Sequence, residues 1–501
     1  GASFAVSTAN PVKCFFGNGI TGGDAPNCQQ FASAGNNGGA FFGFITGLAV
    51  NWSFEIQVPV IFTKAIAGTP VGVTTTSVWG TKTSLVGVTA PFQPTPNAGA
   101  RGDDLALIGS SLTDDGTLPI AFSNDDGSFT VTNYPVGDFA TYSRTPNVKR
   151  LSGDFNGDGL MDFALVGGAY WTAIPVAMSL GNGQFTVTVH SVGNDFNNWA
   201  ATPNVKAVTG DFNRDGHTDI ALVGGAGWAS IPIAFSAGYG QFNITNLLVG
   251  PFAGMAAMAG ARPLVGDFNK DGFADIALVG GAGMTTLPVA FSYGNGTFYV
   301  TNQNVSIQCW GCGLNFALSS QEANVQAVTG DFNKDGFTDI ALVGGANWGT
   351  IRLALSYGNG NFQMVNSSAS NFAGWATSPG VKVLTGDFNK DGYTDLALTG
   401  VAGWASIPLA LSAGFGNFTV HNSNVGAFGS WASTPGVRAI AGDFNGDGFT
   451  DIALTGPNWS SIPVAMNIGF GNFAVKNEWA KRFPFWSTDG SATVFSGRVS
   501  Y

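Results

Sequence analysis

The stretch Asp154-Phe-Asn-Gly-Asp-Gly-Leu-Met-Asp162 decides the architecture, because it returns. The pattern Asp-Phe-Asn-x-Asp-Gly-x-x-Asp starts at Asp154, Asp211, Asp267, Asp331, Asp387 and Asp443, at spacings of 57, 56, 64, 56 and 56 residues. The one long interval holds Cys309 and Cys312, an insertion that reads as a loop pinned by its own cysteines. Each copy sits in the same order of segments: an apolar strand such as Val205 to Val208, the acidic loop, then Asp219 to Val223, Ile231 to Ser236 and Phe242 to Asn246. Turn signals separate them, the pair Gly224 and Gly225 and the run Ala237 to Gly240. Four strands recurring at this period predict an all-β fold, a propeller whose small sheets bury their faces only against one another.

A seventh unit lies upstream without its first strand or acidic loop. Asp104-Leu-Ala-Leu-Ile-Gly matches Asp162-Phe-Ala-Leu-Val-Gly, and Leu118 to Ser123 and Gly127 to Asn133 follow in order. Its missing strand is at the other end, where Thr493-Val-Phe-Ser-Gly aligns with Lys206-Ala-Val-Thr-Gly. The last strand of the chain is therefore expected to join the first blade and close the ring, removing the free sheet edges that invite aggregation. The reading is seven four-stranded blades over residues 98–501. Residues 1–97 carry only Lys13, Asp24, Glu55, Lys64 and Lys82 as charges and read as a small β-rich domain or an assembly segment.

Composition agrees with short strands and tight turns. Charged residues make up 10% and Gly 73 of 501, which excludes a disordered polyelectrolyte and a helix-rich chain. A net charge of -11 argues against nucleic acid as a partner. The longest apolar run, Ala40 to Val50, is 11 residues, well short of the roughly 20 needed for a spanning helix. The sequence opens at Gly1 without Met or a leader, so the chain is either cytosolic or has lost one. Two features favour a secreted or cell-surface protein. Cys14 with Cys28, and Cys309 with Cys312, form two close pairs suited to local disulfides. Asn-x-Ser/Thr sequons stand at Asn51, Asn243, Asn295, Asn304, Asn366, Asn417 and Asn458.

In the acidic loops, oxygen-bearing side chains recur at positions one (Asp154, Asp211, Asp267, Asp331, Asp387, Asp443), three (Asn156, Asn213, Asn269, Asn333, Asn389, Asn445), five (Asp158, Asp215, Asp271, Asp335, Asp391, Asp447) and nine (Asp162, Asp219, Asp275, Asp339, Asp395, Asp451). Position seven (Leu160, His217, Phe273, Phe337, Tyr393, Phe449) can add its backbone carbonyl, and the imidazole of His217 reads as a surface group. Gly at position six permits the turn that folds the donors inward. Hard oxygen donors without Cys suit Ca²⁺, at about six sites of modest affinity, roughly 10⁻⁴ to 10⁻³ M. These loops hold 18 of the 31 acidic residues, so six bound Ca²⁺ would nearly neutralise the chain.

The loops, the Ile-Ala-Leu-Val-Gly strand after them and the Tyr-Gly-Asn-Gly-x-Phe turns at Tyr293 and Tyr357 resemble the FG-GAP (VCBS-type) repeats of integrin α-subunit propellers. The stretch from Asn371 through Trp375 to Asp387 is similar to seven-bladed fungal lectins of the Psathyrella velutina type. That resemblance implies sugars held between adjacent blades, although most of the basic and His residues that follow the Trp in that family are lacking here. Two aromatic series recur in this chain. Tyr142, Trp199, Trp375, Trp431 and Trp486 precede the loops, with Met255 and Ser319 at the equivalent places; Trp171, Trp228, Trp348, Trp404 and Trp459 follow them, with Met284 substituting. An indole can stack on a pyranose face, or it can simply fill space between blades. Catalysis has little to stand on: His190, His217 and His421 lie in no nucleophile motif, and Asp114, Asp115, Asp125 and Asp126 read as turn residues rather than paired acids. The expected function is a multivalent glycan-binding or adhesive protein, not an enzyme. The alternative is a structural subunit of an extracellular assembly that contacts its neighbours through residues 1–97.

Overall fold

The structure, a computed structural model, describes residues 3–8, 14–15, 52–57, 102–113, 116–193, 195–306 and 315–500. Cys28, Cys309, Cys312, Asn51, Asp114 and Asp115 lie outside the described residues, and Cys14 opens a two-residue strand. The chain divides into two compact units, Gly1–Thr95 and Pro96–Tyr501. In the first, β1 (Ser3–Thr8) pairs antiparallel with β2 (Cys14–Phe15) on one side and β3 (Trp52–Gln57) on the other.

The second unit is a ring of seven four-stranded antiparallel sheets. Blade I contains β4 (Asp104–Ile108), β5 (Thr117–Ser123) and β6 (Phe129–Pro135). Blade II contains β7 (Lys149–Gly153), β8 (Asp162–Val166), β9 (Ala173–Ser179) and β10 (Phe185–Ser191), in that spatial order. Blades III to VII repeat this with β11 to β30, between residues 206 and 479. The last strand, β31 (Thr493–Gly497), completes blade I from Thr493 opposite Ile108 to Gly497 opposite Asp104, closing the ring as the repeat alignment requires.

Burial follows strand position. The second strand of every blade is buried along its whole length, whereas six of the seven first strands, β31 among them, are half-buried throughout. First strands of successive blades approach one another, β7 to β11 and β27 to β31 among them, so they surround the axis. The third strand carries a Pro in six blades, as at Pro232, where the ladder to the second strand has already ended at Ala221 opposite Ile233. No inner donor is therefore lost. In blade V Arg352 replaces that Pro and the ladder extends by one pair, Leu342 opposite Arg352.

Each blade reaches the next through a short helix absent from the strand-only sequence reading: α1 (Asp138–Ser143), α2 (Asp195–Ala200), α3 (Pro251–Ala256), α4 (Phe316–Ser319), α5 (Ser370–Trp375), α6 (Ala427–Ala432) and α7 (Phe483–Trp486). Each drives a fully buried Phe between blades: Phe139, Phe196, Phe252, Phe316, Phe372, Phe428 and Phe483. The Phe at loop position two (Phe155, Phe212, Phe268, Phe332, Phe388, Phe444) does the same from the other end. Every hydrophobic cluster draws on two adjacent blades, so no blade has a core of its own. The abundance of Phe follows from this geometry.

Candidate functional site

Because consecutive strands alternate in direction, the acidic loops and the third-to-fourth strand turns share one face of the ring. The second-to-third strand loops and the helices share the other. All four expected side-chain donors of each loop lie on the first face, already engaged with backbone. In blade II, Asp154 Oδ1 accepts from the N–H of Gly157 and Asp158, and its Oδ2 accepts from Gly159. Asn156 donates through Nδ2 to Asp158 Oδ2, and Asp158 Oδ1 accepts from Leu160. Asp162 is fully buried and accepts from Phe155 (3.0 Å) and Ser179 (2.7 Å). The other five loops repeat this wiring at positions one, five and nine, as at Asp331, Asp335 and Asp339. In the His217 loop the imidazole Nδ1 lies 3.1 Å from Asp215.

Burial pushes the position-nine carboxyls up, to about 7 in Asp162 and Asp395 and about 8 in Asp219, Asp275, Asp339 and Asp451. The carboxylates at positions five and one add to the rise, against the lowering effect of the amide bonds. The donor set is thus all oxygen and crowded enough for its charges to repel, which fits a hard cation. Among the described residues no three Asp, Glu, His or Cys side chains form a ready-made ligating cluster, so holding an ion would exchange amide bonds for metal bonds.

The loops also join the blades. The position-one carbonyl accepts the amide eight residues into the next motif, as in Thr218 to Asp154 (2.6 Å). The position-two carbonyl accepts from the residue ending the third strand of the next blade: Ser236 to Phe155, Ser292 to Phe212, Ser356 to Phe268, Ser412 to Phe332 and Asn467 to Phe388. Ser123 to Phe444 and Ser179 to Val499 complete a circle of seven such bonds.

On the opposite face the two aromatic series meet. The first series lies at the C-terminal ends of the helices and the second in the second-to-third strand loops. Three of the second series lie against glycine: a Cβ on Gly168, Gly225 or Gly345 would fall about 2 Å from the indole of Trp171, Trp228 or Trp348, whereas Val401 stands at that place before Trp404. Trp171, Trp199, Trp228, Trp375, Trp404, Trp431 and Trp459 are half-buried, with part of each ring open. Trp348 and Trp486 are 6% exposed and offer no stacking face, which removes them from the expected sugar-contacting set. The guanidinium of Arg352 lies 3.6 Å over Trp348, whose Nε1 donates to Glu322 (3.0 Å).

Blade II alone adds a third ring. Tyr142 and Trp171 meet edge to face at 5.4 Å, and with Tyr170, Thr172, Pro175 and Val189 they line an open cleft of about 240 Å³. Tyr170 is 93% exposed and left-handed, φ +64°. Its equivalents are Gly227, Gly283, Asn347, Gly403 and Asn458, the residue types that tolerate this conformation. Tyr170 was missed from sequence, yet a Tyr in a Gly/Asn column was the available signal. All six described sequon asparagines are exposed. Asp125 and Asp126 occupy the turn between β5 and β6. No helix among the described residues is long and apolar enough to cross a membrane.

The FG-GAP-like repeat pattern matches residues 154–222, 211–278 and 331–398, and the FG-GAP repeat pattern matches 436–469. No curated protein sequence matches the chain. Among solved structures, the ring is similar to a lectin of Agrocybe aegerita described for specific recognition of non-reducing terminal N-acetylglucosamine, at 20% identity and TM-score 0.61, covering 80% of this chain and 97% of that one. A putative 6-phosphogluconolactonase of Bacteroides fragilis aligns at 10% identity and TM-score 0.41, over 77% and 97% of the two chains. A dihydro-heme d1 dehydrogenase aligns at 11% identity and TM-score 0.39, over 82% and 77%.

Proposed function

We propose, for this FG-GAP-repeat seven-bladed propeller, a non-catalytic role in glycan binding outside the cell, with Ca²⁺ holding the loop face. The observation that carries the reading is Tyr170. Tyr239, Phe415 and Phe470 are also left-handed and exposed, in third-to-fourth strand turns, whereas Tyr170 stands beside two further rings at a cleft, and backbone strain gathers at working sites. Beside Trp171 and Tyr142 it walls a cleft wide enough for one pyranose, whose apolar face can stack on the rings while Thr172 and nearby backbone groups meet the hydroxyls. The lectin of similar fold supports the ligand class. Half-open Trp in blades III, VI and VII would add weaker sites, and several sites on one ring would raise avidity. Exposed sequons, and the close spacing in sequence of Cys14 with Cys28 and of Cys309 with Cys312, support a secreted protein.

Ca²⁺ would be held by positions one, three, five and nine with the position-seven carbonyl; it would supply the positive charge that lets three carboxylates share one loop.

The test is a glycan array with wild type and Tyr170→Gly, in Ca²⁺ and in chelator. Glycine fits the backbone at this position, so the variant should melt no lower than wild type. Its binding should drop roughly tenfold or more with loss of a stacking ring. A blank wild-type array, or unchanged binding by the glycine variant, would sink the assignment.

A further inference from the structure

The first strands that surround the axis all begin at the helix face, and their opening residues share one chemistry. Lys149, Lys206, Arg262, Lys382 and Arg438 open five of the seven, with Gln326 and Thr493 in the other two, and Arg150 follows Lys149. Six of the chain's 20 basic residues therefore stand around the axis at the helix face, in a protein whose net charge is -11. All six are half-buried.

Their partners are neutral. Lys149 donates to the carbonyl of Ala200, Arg150 to Ser143, Lys382 to Val437, Arg262 to Val325 and Ser320, and Arg438 to Ala492 and Asp489. A carbonyl orients a cation without cancelling its charge. Among the described residues Asp489 is the one carboxylate that acts on any of the six, on Arg150 and Arg438, and it is already held by Ser111 and Ser491. Arg150 and Arg438, on the two sides of blade I, stand close enough to repel each other. The acidic loops lie at the opposite end of the axis, too far along the strands to pair with these cations.

We infer that the helix-face end of the axis is an anion site, taking a sulfate or phosphate group, free or carried on a saccharide. It is separate from the aromatic cleft of blade II, and the carbonyl anchors pre-position the cations so that little side-chain freedom is lost on binding.

The test is calorimetric titration of the full chain at low ionic strength, with Ca²⁺ only slightly above the six proposed sites, using sodium sulfate, sodium phosphate and a sulfated disaccharide, the heat of each titration into the same buffer without protein being subtracted. The expected result is one anion per ring, weakened by added NaCl. Lys206→Gln with Lys382→Gln should lower the affinity roughly tenfold. Lys270→Gln with Lys334→Gln, the same charge change on the loop face, should leave it unchanged. Should the first pair melt early, Lys206→Gln alone is expected to show a smaller loss in the same direction. Binding of the disaccharide without the free ions would assign the site to a pendant sulfate. No heat with any of the three, equal loss in the loop-face pair, or displacement of the disaccharide by neutral N-acetylglucosamine would each overturn the inference.

Discussion

In blades II to VII one continuous loop carries the chain from the first strand to the second, whereas in blade I two segments about 395 residues apart meet to make the same turn. There Arg498-Val499-Ser500 follows β31 in place of Asp154-Phe155-Asn156, and Asp103 immediately precedes β4. The acidic donors at positions one, three and five are gone, yet the position-nine carboxylate survives as Asp104. It accepts from Ser123 and Val499, the counterparts of Ser179 and Phe155, and also from Ser500. Val499 is fully buried where the other blades bury Phe. Burial raises Asp104 to about 7, as it does its counterparts. The position-nine Asp therefore has a task that needs no metal, tying the first two strands to the third, and under the proposed Ca²⁺ role the remaining donors are what would separate a loop that holds an ion from one that does not.

Removing residues 493–501 should have the largest effect. It takes away the first strand of blade I and two of the three residues that donate to Asp104, Val499 and Ser500, and it opens a sheet edge. The single melting transition should be lost and light scattering should report oligomers; a stable monomer would break the account of closure.

Chelation comes next. Without Ca²⁺ the raised position-nine carboxyls make folding bind protons, so stability is fully present below the unfolded value near 3.8 and is lost as pH rises through about 7 to 8. Melting temperature in chelator should fall between pH 5 and pH 8.5, and added Ca²⁺ should cancel most of that fall. A flat profile in chelator would contradict it.

A sharper contrast follows from Asp104→Asn against Asp162→Asn. Each leaves a buried amide N–H poorly matched and should cost about 1–3 kcal/mol. The gain in melting temperature on adding Ca²⁺ should shrink for Asp162→Asn and stay intact for Asp104→Asn. Equal shrinkage would mean that blade I also responds to the ion. The smallest change is Ser236→Ala, which leaves the Phe155 carbonyl without its inter-blade donor. About 1 kcal/mol is expected by denaturant unfolding.

Much of this was legible in the repeat. The nine-residue pattern marks strand ends through its Asp and Gly, and the alignment of Thr493 to Gly497 with Lys206 to Gly210 forecast the closure. The helices were not legible, because they run only four to six residues, and several start after a Gly such as Gly250 at φ +58° rather than a polar cap. The cation ring was missed for another reason. Each Lys or Arg is unremarkable in its own repeat, and only the circle brings them to one end of the axis.

Sequence by itself determined the strands, the count of seven, the closure and the oxygen-rich loops, since each depends on local pattern and on what a strand pairs with next. Tertiary structure decided which aromatic rings are available. Gly168-Ala-Tyr-Trp171 and Gly345-Ala-Asn-Trp348 are nearly the same local sequence. Trp171 borders an open cleft beside Tyr142, while Trp348 lies beneath Arg352 and is bonded to Glu322. Exposure is set by what neighbouring elements bring to a side chain, and no repeat motif carries that information.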